Sequence, residues 1–170
     1  LVIANHNSPR QVVLSGVTHE IDRAKEVLSD EGLRSKKLPV SAAFHSALVA
    51  EAAVPFAQKL NGVKLTKGAV PVYANTTGTK YPATRAAARR VLSQQLVSPV
   101  DFVQCVKRMF DDGVRTFAEV GPGRRLASLI GEILAGEEIT VVAVDASSGQ
   151  RRGLVDLARM LAQFAAAGHT

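Results

Sequence analysis

The apolar positions along this chain follow two rhythms. LVIA at residues 1–4 and QVVLS at 11–15 have the length and β-branched content of strands, and the NHNSPR between them concentrates turn residues. Thr18 is placed to cap a helix, with Glu20 in its first turn and Ile21, Ala24, Val27 and Leu28 along one stripe, ended by Gly32. Lys37–Val40 reads as a further strand. The order strand, strand, helix, strand is that of the last two-thirds of a βαββαβ ferredoxin-like unit.

Beyond His45 strands and helices alternate. Ser46 is a cap for a helix carrying Leu48, Val49, Ala52, Ala53, Phe56 and Leu60, with Pro55 expected to kink or break it. VPVYAN (70–75) is a strand, and Thr84 to about Gln95 a helix with Arg85, Arg89 and Arg90 on its wet side. SPVD (98–101) has the form of a helix start: Ser98 as cap, Pro99 first, Asp101 third. TFAEV (116–120) is a strand. After Gly121-Pro122-Gly123 a helix buries Leu126, Leu129, Ile130, Ile133 and Leu134. TVVAV (140–144) is a strand and Leu154–Ala166 a last amphipathic helix. Such alternation implies a largely parallel sheet covered on both faces. There is no internal repeat.

Composition narrows the picture. The 170 residues are enough for one ordinary domain, 46 % are hydrophobic, and with no Trp and 5 % aromatics the core must be built from Val, Leu, Ala and Ile. The net charge is +6. Much of the excess sits in the pairs Lys36-Lys37, Arg89-Arg90, Arg124-Arg125 and Arg151-Arg152, which read as solvated faces or as contacts for an acidic or phosphate-bearing partner. No run argues for nucleic acid. The single cysteine, Cys105, excludes an internal disulfide, fits a reducing, cytoplasmic setting and reads as a buried core thiol. No apolar run is long enough for a membrane span. The chain lacks an initiating Met and opens inside a strand-like run, so it is expected to be a piece of a longer polypeptide.

His45 carries the sharpest chemistry. It stands where an apolar run, LPVSAAF, meets a helix. Imidazole titrates near neutrality and suits a base that takes a hydroxyl proton and later returns one; a strand-to-helix junction supplies the rigid seat. Equally, a histidine there can simply fill a loop. His19 and His169 read as cap and tail residues, and His6 as a turn residue. Glu119 is either a buried partner or an exposed carboxylate. Gly121-Pro122-Gly123 lacks the spacing of a phosphate loop and reads as a tight turn. No Cys or His spacing fits a metal, and no GxSxG elbow is present.

Four ordered motifs, IANHNSPRQVVLSG, LPVSAAFHS, VPVYANTTG and QQLVSPVDFVQCVKRMFDDGVRTFAEVGPGRRLASLI, resemble the C-terminal half of malonyl-CoA:acyl-carrier-protein transacylases, the acyltransferase domains of fatty-acid and polyketide synthases. The resemblance runs from Leu1 to about Ile133. The tail AVDASSGQRRGLVDLARMLAQFAAAGH resembles the segment that follows the domain in iterative synthases of polyunsaturated-fatty-acid and enediyne type. The resemblance implies an α/β fold: an α/β-hydrolase-like large part, here partial, into which a ferredoxin-like small part, also partial, is inserted. It implies residues 1–41 in the small subdomain, 42–145 in the core and 146–170 in a following helix or linker. The nucleophilic serine, the arginine that pairs with the malonyl carboxylate and the oxyanion loop would precede Leu1.

Carried over residue by residue, His45 matches the catalytic histidine of the AFHS motif. Gln95 matches the position whose backbone carbonyl accepts from the other ring nitrogen, the orienting role a carboxylate plays in hydrolase triads. Phe44 resembles the residue associated with malonyl selection, or is core packing; Ala42, Ala43 and Ala47 depart from residues common around it and leave acyl preference open. Asn5 and Asn7 match a turn bordering the cleft and serve either substrate or the turn. No tightly bound cofactor is implied. The implied substrates are malonyl-CoA and a phosphopantetheinylated acyl carrier protein. The implied partners are that carrier, the N-terminal half of the same domain and other synthase domains, with no nucleic acid and no membrane. Carrier proteins are usually acidic and coenzyme A carries phosphates, which gives the basic excess a use. A non-catalytic fragment docking a carrier or synthase domain, and an acyl-thioester hydrolase of related fold, are the alternatives.

Overall fold

The computed structural model describes residues 1–66 and 68–169, and divides into two compact units, Leu1–Cys105 and Val106–Thr170. In the first, β1 (Val2–Ser8) and β2 (Gln11–Ser15) form an antiparallel hairpin whose register shifts twice, between Ile3 and Asn5 and between His6 and Ser8. Only Pro9 and Arg10 are left for the turn, so Asn5, His6 and Asn7 lie in a strand rather than in the expected loop. α1 (Thr18–Asp30) follows and ends ahead of Gly32, whose φ of 70° suits glycine. Its cap position is Val17, with no side-chain bond, so Thr18 does not cap it. The strand expected at Lys37–Val40 does not form. Residues 33–40 are irregular and exposed, with Leu38 at 50 % and Val40 at 64 %; an apolar run with no neighbouring strand has nothing to pair its backbone.

β1 finds its second neighbour much later in the chain. β5 (Val100–Asp101) pairs with it in parallel, Asn5 opposite Val100 and His6 opposite Asp101. This moves the expected helix start. The Ser98-Pro99 signal is overridden by the strand, and α4 (Phe102–Asp111) begins three residues later, with the Asp101 carboxylate accepting from the Gln104 N–H at 3.0 Å as its cap.

Between these elements Ser46 opens a short 3₁₀ turn (Ala47–Val49) that runs into α2 (Ala50–Asn61). Pro55 sits inside α2 without breaking it. Residues 70–75 give only β3 (Tyr73–Ala74), hairpinned to β4 (Thr79–Lys80). Gly78 closes that hairpin at φ 63°, where a Cβ would come within 2.5 Å of the Gln104 side chain. α3 (Arg85–Ser93) is capped by the Thr84 hydroxyl. Arg89 is not on its wet side: its Nε and a terminal nitrogen donate to the Leu60 and Val63 carbonyls, both at 2.9 Å, tying α3 to the end of α2.

The second unit is a βαβ layer. β6 (Thr116–Pro122) and β7 (Thr140–Asp145) are parallel, with α5 (Arg125–Ile133) as the crossover and α6 (Gly153–Ala166) packed on β7. Phe117, Ala127, Ile130, Ile133, Leu134, Val142 and Met160 are buried and form its core. Full burial of the Phe, Ile, Leu, Val and Met side chains among them contributes about 1.5–3 kcal/mol each. Instead of one continuous covered sheet, the described residues form three small ones. Among them β6 has β7 as its sole neighbour, and Val120 in mid-strand is 85 % exposed, so the outer edge of β6 stands open. Cys105 is buried at the end of the first unit, as read from its pattern. Its burial, and then the nearby Asp101 carboxylate, push its thiol pKa up.

A buried carboxylate secures the start of α6. Asp156 accepts from the Ser147 hydroxyl and, at 3.0 Å, from Arg151 Nε, while the Arg151 N–H donates to Ser147 Oγ, also at 3.0 Å. The Ser147 bond, then Arg151, holds the Asp156 carboxyl below its ordinary value of 3.8. A depressed folded pKa adds stability above that ordinary value, and the contribution is lost as pH falls through the folded value. Asp156→Asn is expected to lower stability at neutral pH and to flatten the acid limb below about pH 4, measured by denaturant unfolding across pH.

Candidate functional site

The site is built on the corner at residues 43–46. His45 has φ 58°, in the left-handed region, which is unusual for a residue with a Cβ. Such a backbone costs about 1–3 kcal/mol and persists where surrounding bonds over-determine it. Here they do. The His45 N–H donates to the Leu96 carbonyl at 2.9 Å. The buried Ser46 hydroxyl donates to the Ala43 carbonyl at 2.5 Å and accepts from the Leu48 N–H at 3.3 Å, so one side chain closes the corner and caps the helix that follows.

The imidazole is oriented from the facing turn after α3. Its Nδ1 lies 3.0 Å from the Gln95 carbonyl and 3.1 Å from the Ser98 carbonyl. Both neighbours can only accept, so Nδ1 carries the proton of the neutral ring and Nε2 keeps its lone pair. The turn is itself braced, Gln95 N–H to Leu92 O, Val97 N–H and Ser98 N–H to Gln94 O, at 3.0–3.2 Å. Two residues beyond Ser98 the chain enters β5 and is fixed against β1. The ring is half-buried. Held by carbonyls rather than by a carboxylate, it is oriented without a buried negative charge.

The other residues singled out in the sequence divide. Phe44 flanks His45 in sequence and is 48 % exposed. Asn5 is half-buried, opposite Val100 of β5, and its carboxamide has no partner among the described residues. Asn7 is engaged across the hairpin, donating to Gln11 Oε1 at 3.0 Å. Ser98 and Leu96 supply main-chain carbonyls that no sequence pattern marks, and the local chemistry of SPVD points to a helix start instead. His6 lies 3.5 Å from the Asp101 carboxylate across the β1–β5 pair, not in a turn. His169, at the end of the second unit, hydrogen-bonds Thr116 at 2.8 Å and stacks edge-on against Phe164. Glu119 accepts from the Ala127 N–H at 2.9 Å and closes the first turn of α5. A cavity of about 590 Å³ lined by Leu65, Val70, Val72, Tyr81, Ala88 and Leu92 contains no residue of the His45 corner. Its apolar lining offers packing surface, whereas the oriented imidazole offers chemistry, and the site is placed at the latter.

The structure is thus a mixed α/β protein with one imidazole fixed at an element junction by main-chain carbonyls. Comparison with known proteins gives this its family. Residues 1–167 match the acyl transferase domain family. The malonyl CoA-acyl carrier protein transacylase of Bacillus subtilis is 33 % identical over 132 residues, which cover 77 % of this chain and 41 % of that protein. The crystal structure of the malonyl CoA-acyl carrier protein transacylase from Clostridium perfringens superposes with a TM-score of 0.82 at 30 % identity, covering 98 % of this chain and 51 % of that one. A malonyl-transacylase solved in complex with a type II polyketide synthase acyl-carrier protein gives a TM-score of 0.79 at 31 % identity, over 91 % and 48 %. The chain belongs to the acyl transferase domain family, and it spans about half the length, or less, of these relatives.

Ser46→Ala is expected to cost about 1 kcal/mol through loss of the cap and to loosen the corner. Denaturant unfolding gives the first, and line-broadening of the His45 ring resonances gives the second.

Proposed function

We propose that this chain is the histidine-bearing part of an acyltransferase domain that moves a malonyl or similar acyl group from coenzyme A, through an acyl-serine, to the phosphopantetheine thiol of an acyl carrier protein. The observation that carries the reading is His45: a strained backbone, Nδ1 committed to the Gln95 and Ser98 carbonyls, and Nε2 left as a base.

The chemistry follows from that ring. Nε2 takes the serine hydroxyl proton as the oxygen attacks the thioester carbon. The C–S bond breaks and the imidazolium returns the proton to the departing coenzyme A thiolate. In the second half-reaction Nε2 takes the proton of the carrier's thiol, the thiolate attacks the acyl-serine ester, and the serine oxygen leaves with that proton. The positive charge that appears on the ring each time is stabilised by the two carbonyl dipoles at Nδ1. Phe44 stands beside the acyl position, where a phenyl ring leaves little room for a methyl branch; discrimination of one methyl is worth about 1–3 kcal/mol. The unpartnered Asn5 carboxamide is offered to substrate, and Asn7 serves the hairpin. No tightly bound cofactor enters the scheme.

The serine comes from the other half of the domain. Supporting this are the coverage of the relatives, 41 % and 51 %, and the open edge of β6 beside the exposed Val120, a surface suited to a further strand. In this reading the β1–β2 hairpin and α1 belong to a ferredoxin-like small subdomain ending near residue 41, residues 42–145 belong to an α/β-hydrolase-like core, and 146–170 follow it. The setting is cytoplasmic, beside other synthase domains.

In the complete domain, His45→Ala is expected to abolish transfer of malonyl from coenzyme A to the carrier while circular dichroism stays unchanged; near-normal loading would remove His45 from the chemistry. Free malonate beside an unloaded wild-type carrier would instead mark a hydrolase. Phe44→Ser is expected to raise the methylmalonyl-to-malonyl product ratio by about tenfold, scored by mass spectrometry of the loaded carrier; an unchanged ratio would reduce Phe44 to packing.

A further inference from the structure

α2 and α3 are tied together at two places, and the His45 corner is one of them. At that end α2 leaves the corner through the 3₁₀ turn at Ala47–Val49, and the turn after α3 brings the Gln95, Leu96 and Ser98 carbonyls back to His45. The second tie is Arg89, midway along α3. Its Nε donates to the Leu60 carbonyl and a terminal nitrogen to the Val63 carbonyl, both at 2.9 Å. A guanidinium carries its donors in one rigid plane, so two such bonds fix an angle as well as a distance. Its charge also lies at the negative end of the α2 dipole.

Apolar packing adds little to this tie. Helix pairs are ordinarily fixed by interlocked side chains. Here α3 buries no residue, and α2 buries Leu60 alone. The cavity of about 590 Å³ is lined by Ala88 and Leu92 of α3 and, facing them, by Leu65, Val70 and Val72, so that flank of the helix is unfilled. The other polar side chains of the last turns of α3 do not reach α2: Arg90 is exposed, and the Ser93 hydroxyl donates to the Arg90 carbonyl of its own helix at 2.8 Å.

We infer that Arg89 is a positioning residue for acyl transfer: by fixing α3 against the end of α2, it fixes the turn that presents the Gln95 and Ser98 carbonyls to His45 Nδ1. This rests on the acyltransferase reading above. The groups that orient the ring are main-chain oxygens, so control over them lies with whatever holds the backbone. α3 is a single short helix, and a change of tilt at Arg89 reappears in the turn that follows it. Once those oxygens shift, Nδ1 is released, the neutral imidazole samples both tautomers, and the fraction with a free Nε2 lone pair falls. Small misplacements of a reacting group are costly in rate, whereas substrate binding is untouched.

The test uses the complete domain and compares wild type, Arg89→Ala, Arg89→Lys and Arg90→Ala at a temperature where circular dichroism shows all of them folded. The ¹⁵N shifts of the His45 ring report its tautomer without any turnover. In Arg89→Ala the two ring nitrogens are expected to move toward each other, and kcat for malonyl transfer to fall about tenfold with KM for malonyl-CoA within about twofold of wild type. Arg89→Lys, which keeps the charge and a donor, is expected to recover most of kcat, and Arg90→Ala, which removes the same charge from the same helix, to match wild type in both readouts. If Arg89→Ala does not fold, Arg89→Gln, too short to hold both carbonyls, is read in the same way. Unaltered ring shifts in the Arg89 variant, a loss carried by KM alone, or the same losses in Arg90→Ala would each overturn the inference and leave Arg89 a cap for α2. A wild-type domain that loads no carrier, yet whose His45 tautomer is disordered by Arg89→Ala, would sink the acyltransferase reading and leave the positioning of His45 by Arg89 standing.

Discussion

Two main-chain carbonyls aimed at one ring nitrogen hold this site together. Without the Gln95 and Ser98 oxygens at Nδ1, His45 would have no reason to prefer one tautomer or one ring plane, and its Nε2 would point nowhere in particular. The choice of carbonyls has a cost in chain architecture: a loop must be wound so that two oxygens three residues apart face the same atom. That winding is secured on one side by α3 and its terminal turn, and on the other by β5, a strand of two residues whose pairing with β1 fixes where residue 98 ends up. The hairpin at the start of the chain therefore bears on a ring some 40 residues later.

The same dependence explains what was and was not legible in the sequence. Elements made by local patterning were clear: α1, α3, α5 and α6, and the β6 and β7 strands. In α5 and β7 the apolar spacing is carried by buried residues such as Ile130, Ile133 and Val142, whereas α1 and α3 bury no residue fully and Leu126, expected inside α5, is 47 % exposed. The position of His45 and its link to position 95 were readable because family motifs occur in order, not because spacing reveals a contact 50 residues long. Elements decided by a distant neighbour were misplaced. Ser98-Pro99 has the local chemistry of a helix start, yet Val100 and Asp101 are recruited by β1. Lys37–Val40 has the local chemistry of a strand, yet among the described residues no strand pairs with it. Residues 70–72 are apolar and extended in pattern, but the ladder to β4 takes in only Tyr73 and Ala74.

The side chains that close helix ends were also invisible to patterning. Nothing in the sequence shows that Arg89 would reach back to the α2 carbonyls or that Glu119 would cap α5. Both are long polar residues at positions where solvent is the default expectation, and both instead satisfy orphaned backbone groups at helix ends. The left-handed corner at His45 could not be read either, since histidine has no glycine-like preference for it and the conformation is imposed by Leu96 and Ser46.

The seclusion of Cys105 has a consequence for the chemistry proposed here. Thioesters exchange with free thiolates, so any accessible sulfur near such a reaction is a competitor for the cargo. The sole sulfhydryl of this chain is 1 % exposed, and apolar surroundings plus the Asp101 carboxylate keep its proton on. In the proposed transfer this thiol therefore offers the acyl group no competing acceptor.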